Sequence, residues 1–91
     1  MSSHDPVFEK LAETIKEFLQ VARAKGAKEE LTISMNTDLY KDLGMDSLEA
    51  MDLVVEIEQA FNISVEAREL ISKNKVADIV AYIKGIQARK S

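Results

Sequence analysis

Apolar residues recur at helical spacing from the start of the chain. Val7, Phe8, Leu11, Ile15, Phe18, Leu19 and Ala22 share one face, and Glu9, Lys10, Glu13, Lys16 and Glu17 share the other. This spacing predicts a first helix of about five turns. Asp5-Pro6 marks its start, a capping side chain followed by a proline whose missing N–H costs nothing there. Ala24 to Tyr40 reads as a long connection. Gly26 is placed to end the first helix, with Lys25 and Lys28 near its negative end. Leu31, Ile33 and Met35 alternate with polar residues. With no second strand for them to pair with, an extended loop pinned to the core by these side chains is expected. Asn36-Thr37-Asp38 offers a turn or cap, after which Leu39 and Tyr40 return to the core.

A second helix is expected from Ser47 to Phe61, and steps of about 100° per residue map its surface. Glu49, Asp52, Glu56 and Gln59 fall on a polar arc, and Leu53, Val54, Ile57, Ala60 and Phe61 on an arc that must be core. Leu48, Met51 and Val55 lie outside the core arc, bordered by Asp52 and Glu58. The apolar surface is therefore wider than one buried face, which spans a little over about 100°. Exposed apolar side chains with an acidic rim are what a docking surface presents; the alternative is that the first helix or the long loop covers them. A short third helix fits Val65 to Ile71, capped by Ser64, with Ala67, Leu70 and Ile71 inward. After Lys73-Asn74-Lys75, a fourth helix turns Val76, Ile79, Val80 and Ile83 inward and ends near Gly85 or in the basic tail Arg89-Lys90. These elements predict an all-α fold: a compact antiparallel four-helix bundle with a long loop between helices 1 and 2 and a short third helix.

Ninety-one residues suit one domain, 1–91, with residues 1–4 as a flexible tail and 85–91 as a basic end. With no cysteine there is no disulfide frame and no thiolate ligand. No apolar run approaches the roughly 18 residues of a membrane span, and the first twenty residues do not resemble a signal peptide. A cytoplasmic monomer is expected, and the initial Met1 favours a discrete protein. Charge is segregated: residues 1–35 carry −1, residues 36–69 carry −7, and residues 70–91 carry +4. An acidic middle argues against nucleic acid and for basic protein partners, although a merely solvated helix face would carry the same charge.

The candidate chemistry sits at Asp42-Leu43-Gly44-Met45-Asp46-Ser47-Leu48. Gly44 allows a sharp turn. Asp46 is a good N-cap with Glu49 three residues on, as in a capping box. Ser47 then lies in the first helical turn, where free N–H groups and the helix dipole suit a phosphate. A serine hydrolase would need a base near Ser47, and the only histidine, His4, is in the tail. A calcium loop fails, because Gly44 at its sixth position would put Leu39 and Leu43 at ligand positions. No glycine-rich phosphate loop is present, and no metal site is expected.

Asp42-Leu43-Gly44-x-Asp46-Ser47-Leu48, opening an acidic, apolar helix, resembles the acyl carrier proteins, and the likeness runs from the first helix through Ile83. The resemblance implies that the chain is not an enzyme. It implies that Ser47 carries a 4′-phosphopantetheine arm derived from coenzyme A, attached by a phosphopantetheinyl transferase that holds most of the magnesium ion it needs. Acyl groups would ride on the arm as thioesters in fatty-acid, polyketide or specialised lipid biosynthesis. Asp46 would assist attachment, and Leu48, Glu49, Met51, Asp52, Val55, Glu56 and Glu58 would form the surface read by acyl-loading and acyl-processing enzymes with basic patches. The family shelters its cargo between helices; Val54, Ile57, Phe61, Ile71, Ile79 and Ile83 are the candidate lining residues here, and equally candidates for plain core. Peptidyl carriers usually show a second glycine where this chain has Met45-Asp46, which favours acyl over aminoacyl cargo. Asn62-Ile63-Ser64-Val65 replaces the proline and acid-rich run that often opens the third helix in fatty-acid carriers. Lys73-Asn74-Lys75 adds positive charge, and both departures point toward a dedicated pathway. A peptidyl carrier, or an acidic helical interaction module in which Ser47 only caps a helix, are the alternatives.

Overall fold

The computed structural model describes residues 5–23 and 32–90. His4 and the tail 1–4, Lys25, Gly26, Lys28, Leu31 and Ser91 lie outside the described residues, as do the side chains of Ala22 and Lys90. Four helices run in order: α1 (Pro6–Arg23), α2 (Ser47–Phe61), α3 (Ala67–Ile71) and α4 (Val76–Lys90). The all-α reading holds. Among the described residues there is no strand, only an isolated antiparallel bridge between Asp38 and Lys75.

α1 begins where its sequence places it. The Asp5 carboxylate accepts from the N–H groups of Val7 at 3.0 Å and Phe8 at 3.3 Å, two of the donors that a helix start leaves unpaired. Lys84 Nζ on α4 donates to the same carboxylate at 2.7 Å and ties the two helices together. Leu11, Ile15 and Leu19 are buried, with Val7, Phe8 and Phe18 half-buried beside them. From α4 the core takes Val76, Ile79, Val80 and Ile83, the four expected residues. That helix does not stop at Gly85 but continues to Lys90.

The long connection is built into the bundle by its backbone. The N–H groups of Val76 and Ala77, orphaned at the start of α4, donate to the carbonyls of Thr37 at 3.0 Å and Met35 at 2.9 Å. Leu39 N–H donates in turn to the Asn74 carbonyl at 2.9 Å. Ile33 and Leu39 are buried as expected, but Met35 is exposed, so the apolar alternation of this loop pins only part of it.

α3 corrects the sequence reading. It starts at Ala67 rather than Val65, and its cap position is Glu66, with Ser64 exposed and uninvolved. The donors just before it are claimed by other elements. Val65 N–H donates to Glu58 Oε2 of α2 at 2.8 Å, and Glu66 N–H donates to the Tyr82 hydroxyl of α4 at 3.0 Å. Glu66 itself is extended, at φ −83° and ψ 112°, so the helix begins only after it. Leu70 is buried, while Ala67 and Ile71 are half-buried. At its far end the Tyr40 hydroxyl donates to the Ile71 carbonyl at 2.8 Å.

Candidate functional site

Residues 38–46 form a shelf that delivers the chain to α2. The Asp38 carboxylate accepts from Tyr40 N–H and Lys41 N–H, both at 2.9 Å, and Asp38 N–H donates back to Asp42 Oδ2 at 2.8 Å. Each acid caps the other's turn, in the manner of a capping box. These bonds, led by that from Lys41 N–H, hold the buried Asp38 carboxyl below its ordinary range. Burial, with the Asp38 charge adding to it, pushes the neighbouring Tyr40 phenol up. Gly44 follows at φ +67°, and open space surrounds the position a Cβ would occupy. The glycine is therefore required by backbone conformation and not by crowding. Met45 then buries its side chain and donates its N–H to the Leu39 carbonyl at 3.1 Å.

Sequence reasoning had placed neither Met45 in the core nor the Asp38–Asp42 pair at the base of the turn. The signal for the pair was present: an acid in a turn and a second acid four residues on.

α2 spans Ser47–Phe61, the expected bounds. Asp46 is its N-cap: Asp46 Oδ1 accepts from Glu49 N–H at 2.9 Å. Ser47 is thus the first residue inside the helix and not the cap, which removes the capping role that the interaction-module alternative would give it. The first helical N–H to reach a backbone carbonyl is that of Ala50, bonded to Asp46 O at 2.9 Å. The N–H groups of Ser47 and Leu48 precede it and point out of the helix mouth. Ser47 is exposed. An anionic phosphodiester on its Oγ would meet the positive end of the dipole and the outward N–H groups, so the residues fit the 4′-phosphopantetheine group.

Along α2, the arcs separate as mapped. Leu53, Val54 and Ile57 are buried, together with Ala50. Leu48 is 73% exposed, Met51 50% and Val55 48%, so the described residues do not bury them. Asp52 and Glu56 are exposed beside them, and Glu49 is half-buried. Glu58 differs from the rest of the predicted rim: it is half-buried and gives an oxygen to Val65 N–H, so its carboxylate anchors the α2–α3 connection.

The six candidate cargo-lining residues are brought together, but into packed core. Val54, Ile57, Ile79 and Ile83 are buried, with Phe61 and Ile71 half-buried against them. An open groove of about 730 Å³ lies elsewhere, between α1 and α2, and none of the six lines it.

Fold and site define a small helical domain that presents an exposed serine at a helix mouth. The family model described as the phosphopantetheine attachment site matches residues 9–83, a span that contains this helix mouth. The acyl carrier protein of Thermotoga maritima is 35% identical over 83 residues, covering 91% of this chain and 94% of that protein. That of the aster yellows witches'-broom phytoplasma is 36% identical over 77 residues, covering 85% and 92%. That of the onion yellows phytoplasma is 44% identical over 52 residues, covering 57% and 68%. The chain belongs to the acyl carrier protein family, whose cofactor is 4′-phosphopantetheine, and it is a carrier and not an enzyme. No helix of the described residues is long and apolar enough to cross a membrane.

Proposed function

We propose that the chain carries acyl intermediates as thioesters on a 4′-phosphopantetheine arm attached to Ser47. The observation that carries this reading is the exposed Ser47 at the first position of α2, directly after the Asp46 cap. Attachment makes a phosphodiester: Ser47 Oγ bonds to the phosphorus bearing the pantetheine arm of coenzyme A, the nucleotide phosphate leaves, and the serine proton goes to a base. Asp46 holds the helix mouth in shape while its charge meets the transferase. When bound, the arm supplies a thiol that holds an acyl group by a thioester.

Leu48, Met51 and Val55 supply apolar contact to loading and processing enzymes, and Glu49, Asp52 and Glu56 steer their basic patches. Such pairing gives fast, salt-sensitive encounters suited to a carrier that visits many enzymes. Glu58 contributes from the edge, restrained by its bond to Val65. The cytoplasm, where coenzyme A and acyl-processing enzymes meet, is the expected compartment. The segment Asn62-Ile63-Ser64-Val65 and the cluster Lys73-Asn74-Lys75 support a dedicated acyl pathway over the general fatty-acid one. Incubation with coenzyme A and a promiscuous phosphopantetheinyl transferase is expected to add one phosphopantetheine to the wild type and none to Ser47→Ala. An unmodified wild type would remove the reading.

A further inference from the structure

Ile57 of α2, Leu70 of α3, and Ile79 and Ile83 of α4 are fully buried members of one core. An alkyl chain laid among them has to displace side chains packed at the density of a protein interior. The element best placed to yield is α3, which is five residues long and packs chiefly against α2. Side chains from three other elements hold it at both ends. Ahead of it, Glu58 Oε2 of α2 accepts from Val65 N–H at 2.8 Å, and the Tyr82 hydroxyl of α4 accepts from Glu66 N–H at 3.0 Å. At its far end, the hydroxyl of Tyr40, in the long connection, donates to the Ile71 carbonyl at 2.8 Å. The chain that leaves α3 is held as well. Lys73 Nζ lies over the Tyr82 ring, 5.1 Å from its centroid, and the Asn74 carbonyl accepts from Leu39 N–H at 2.9 Å.

We propose, on the reading of Ser47 as the attachment site, that these ties keep the bundle closed to its cargo. The group carried is a short or polar acyl group, held in water at the end of the arm, and not a long alkyl chain sheltered between the helices. Tyr40 and Tyr82, with Glu58, are then the residues that set the cargo class. The gain from burial grows with each methylene. A butyryl group, or one bearing a hydroxyl or carboxylate, gains too little by entering to open α3 at both ends and repack the core. A long chain left outside exposes every methylene to water, which makes this carrier a poor vehicle for it.

The full chain, isotope-labelled, is loaded from butyryl- or dodecanoyl-coenzyme A by a promiscuous transferase, and its mass is read first. A protein that takes no load overturns the attachment reading and the cargo class together; a loaded protein whose core moves overturns the cargo class alone. The amides of Ile57, Leu70 and Ile79 are expected at the same positions in both loaded forms, and hydroxylamine is expected to cleave both thioesters at the same rate. Tyr40→Phe/Tyr82→Phe keeps both rings and removes both hydroxyls. In that variant the dodecanoyl form alone is expected to shift the three amides. Its cleavage is expected to slow about tenfold, as a chain sheltered about nine-tenths of the time requires. The single variants Tyr40→Phe and Tyr82→Phe, each with one tie left intact, are read alongside and are expected to fall between. Core shifts with slowed cleavage in the dodecanoyl wild type would overturn the proposal. So would shifts on Phe18 and Val21, which would place the chain in the groove between α1 and α2, or tyrosine variants that behave as the wild type does.

Discussion

Asp46 and Ser47 are neighbours with opposite duties, and a pair of alanine substitutions separates them. Asp46→Ala removes the oxygen that accepts Glu49 N–H at 2.9 Å, along with a negative charge at the positive end of α2. Loss of such a cap costs about 1 kcal/mol. For a domain of 91 residues, that corresponds to a melting temperature lower by about 4–8 °C. Ser47→Ala removes an exposed hydroxyl and replaces the residue with a better helix former. Its effect on stability should stay within about 0.5 kcal/mol. Thermal melts followed by circular dichroism at neutral pH read this difference, and transferase loading read in parallel should be retained in Asp46→Asn and abolished in Ser47→Ala. Asparagine keeps the capping oxygen without the charge, so slower loading of Asp46→Asn at unchanged stability would isolate the electrostatic share of the encounter. If Ser47→Ala melted as early as Asp46→Ala, the hydroxyl would be a structural group and its reading as a free handle would be wrong.

Other outcomes follow from the same geometry. Ile57→Ala, which empties a fully buried site, should cost about 2–5 kcal/mol, a large share of the roughly 5–14 kcal/mol available to a chain of this length, as measured by urea unfolding. Gly44→Ala, at φ +67°, should cost about 1–2 kcal/mol from backbone strain alone, read in the same way. Lysine at Asp52 and Glu56 should slow acyl transfer to partner enzymes and flatten its salt dependence, with a stability change of no more than about 1 kcal/mol, since exposed charges contribute little; collapse of the fold would show those acids to be structural. Stability should also fall at both extremes of pH. Asp5, held down chiefly by Lys84, and Asp38, held down chiefly by Lys41 N–H, bind protons less readily folded than unfolded. Their contribution is present above the ordinary carboxylate value of 3.8 and is lost as pH falls through their folded values. Tyr40 is raised above 10.0, so its contribution is present below that value and lost as pH rises through the folded one. Melts of Asp38→Asn should show a weaker acid dependence than the wild type.

What the sequence made legible was local. The bounds of α2, its cap and its exposed stripe follow from a 3.6-residue period and one Asp-Ser pair. The cap of α1 follows from Asp5-Pro6. The inward residues of α4 follow from four apolar positions. What it concealed depends on partners distant in the chain. Ser64 has the chemistry of a cap, but the backbone is extended at Glu66, with the Val65 and Glu66 N–H groups held by Glu58 and Tyr82, and α3 starts at Ala67. The periodicity of α2 sends Glu58 to the acidic rim, and the donor it satisfies seven residues on draws it partly inside. Met35 and Met45 look alike in sequence; one is exposed and the other buried, because Gly44 turns the chain so that Met45 faces the core. The long loop reads as irregular because its hydrogen bonds close on the start of α4, some forty residues away.

The most direct measurement is peptide mapping by mass spectrometry of the protein isolated from its own cell. Cleavage after Lys41 and Arg68 gives a peptide spanning residues 42–68, which holds both Ser47 and Ser64, and fragment ions distinguish the two. A phosphopantetheine on Ser47, bearing an acyl group that hydroxylamine releases, is the predicted result. A peptide bare at Ser47, or an arm found on Ser64, would contradict it.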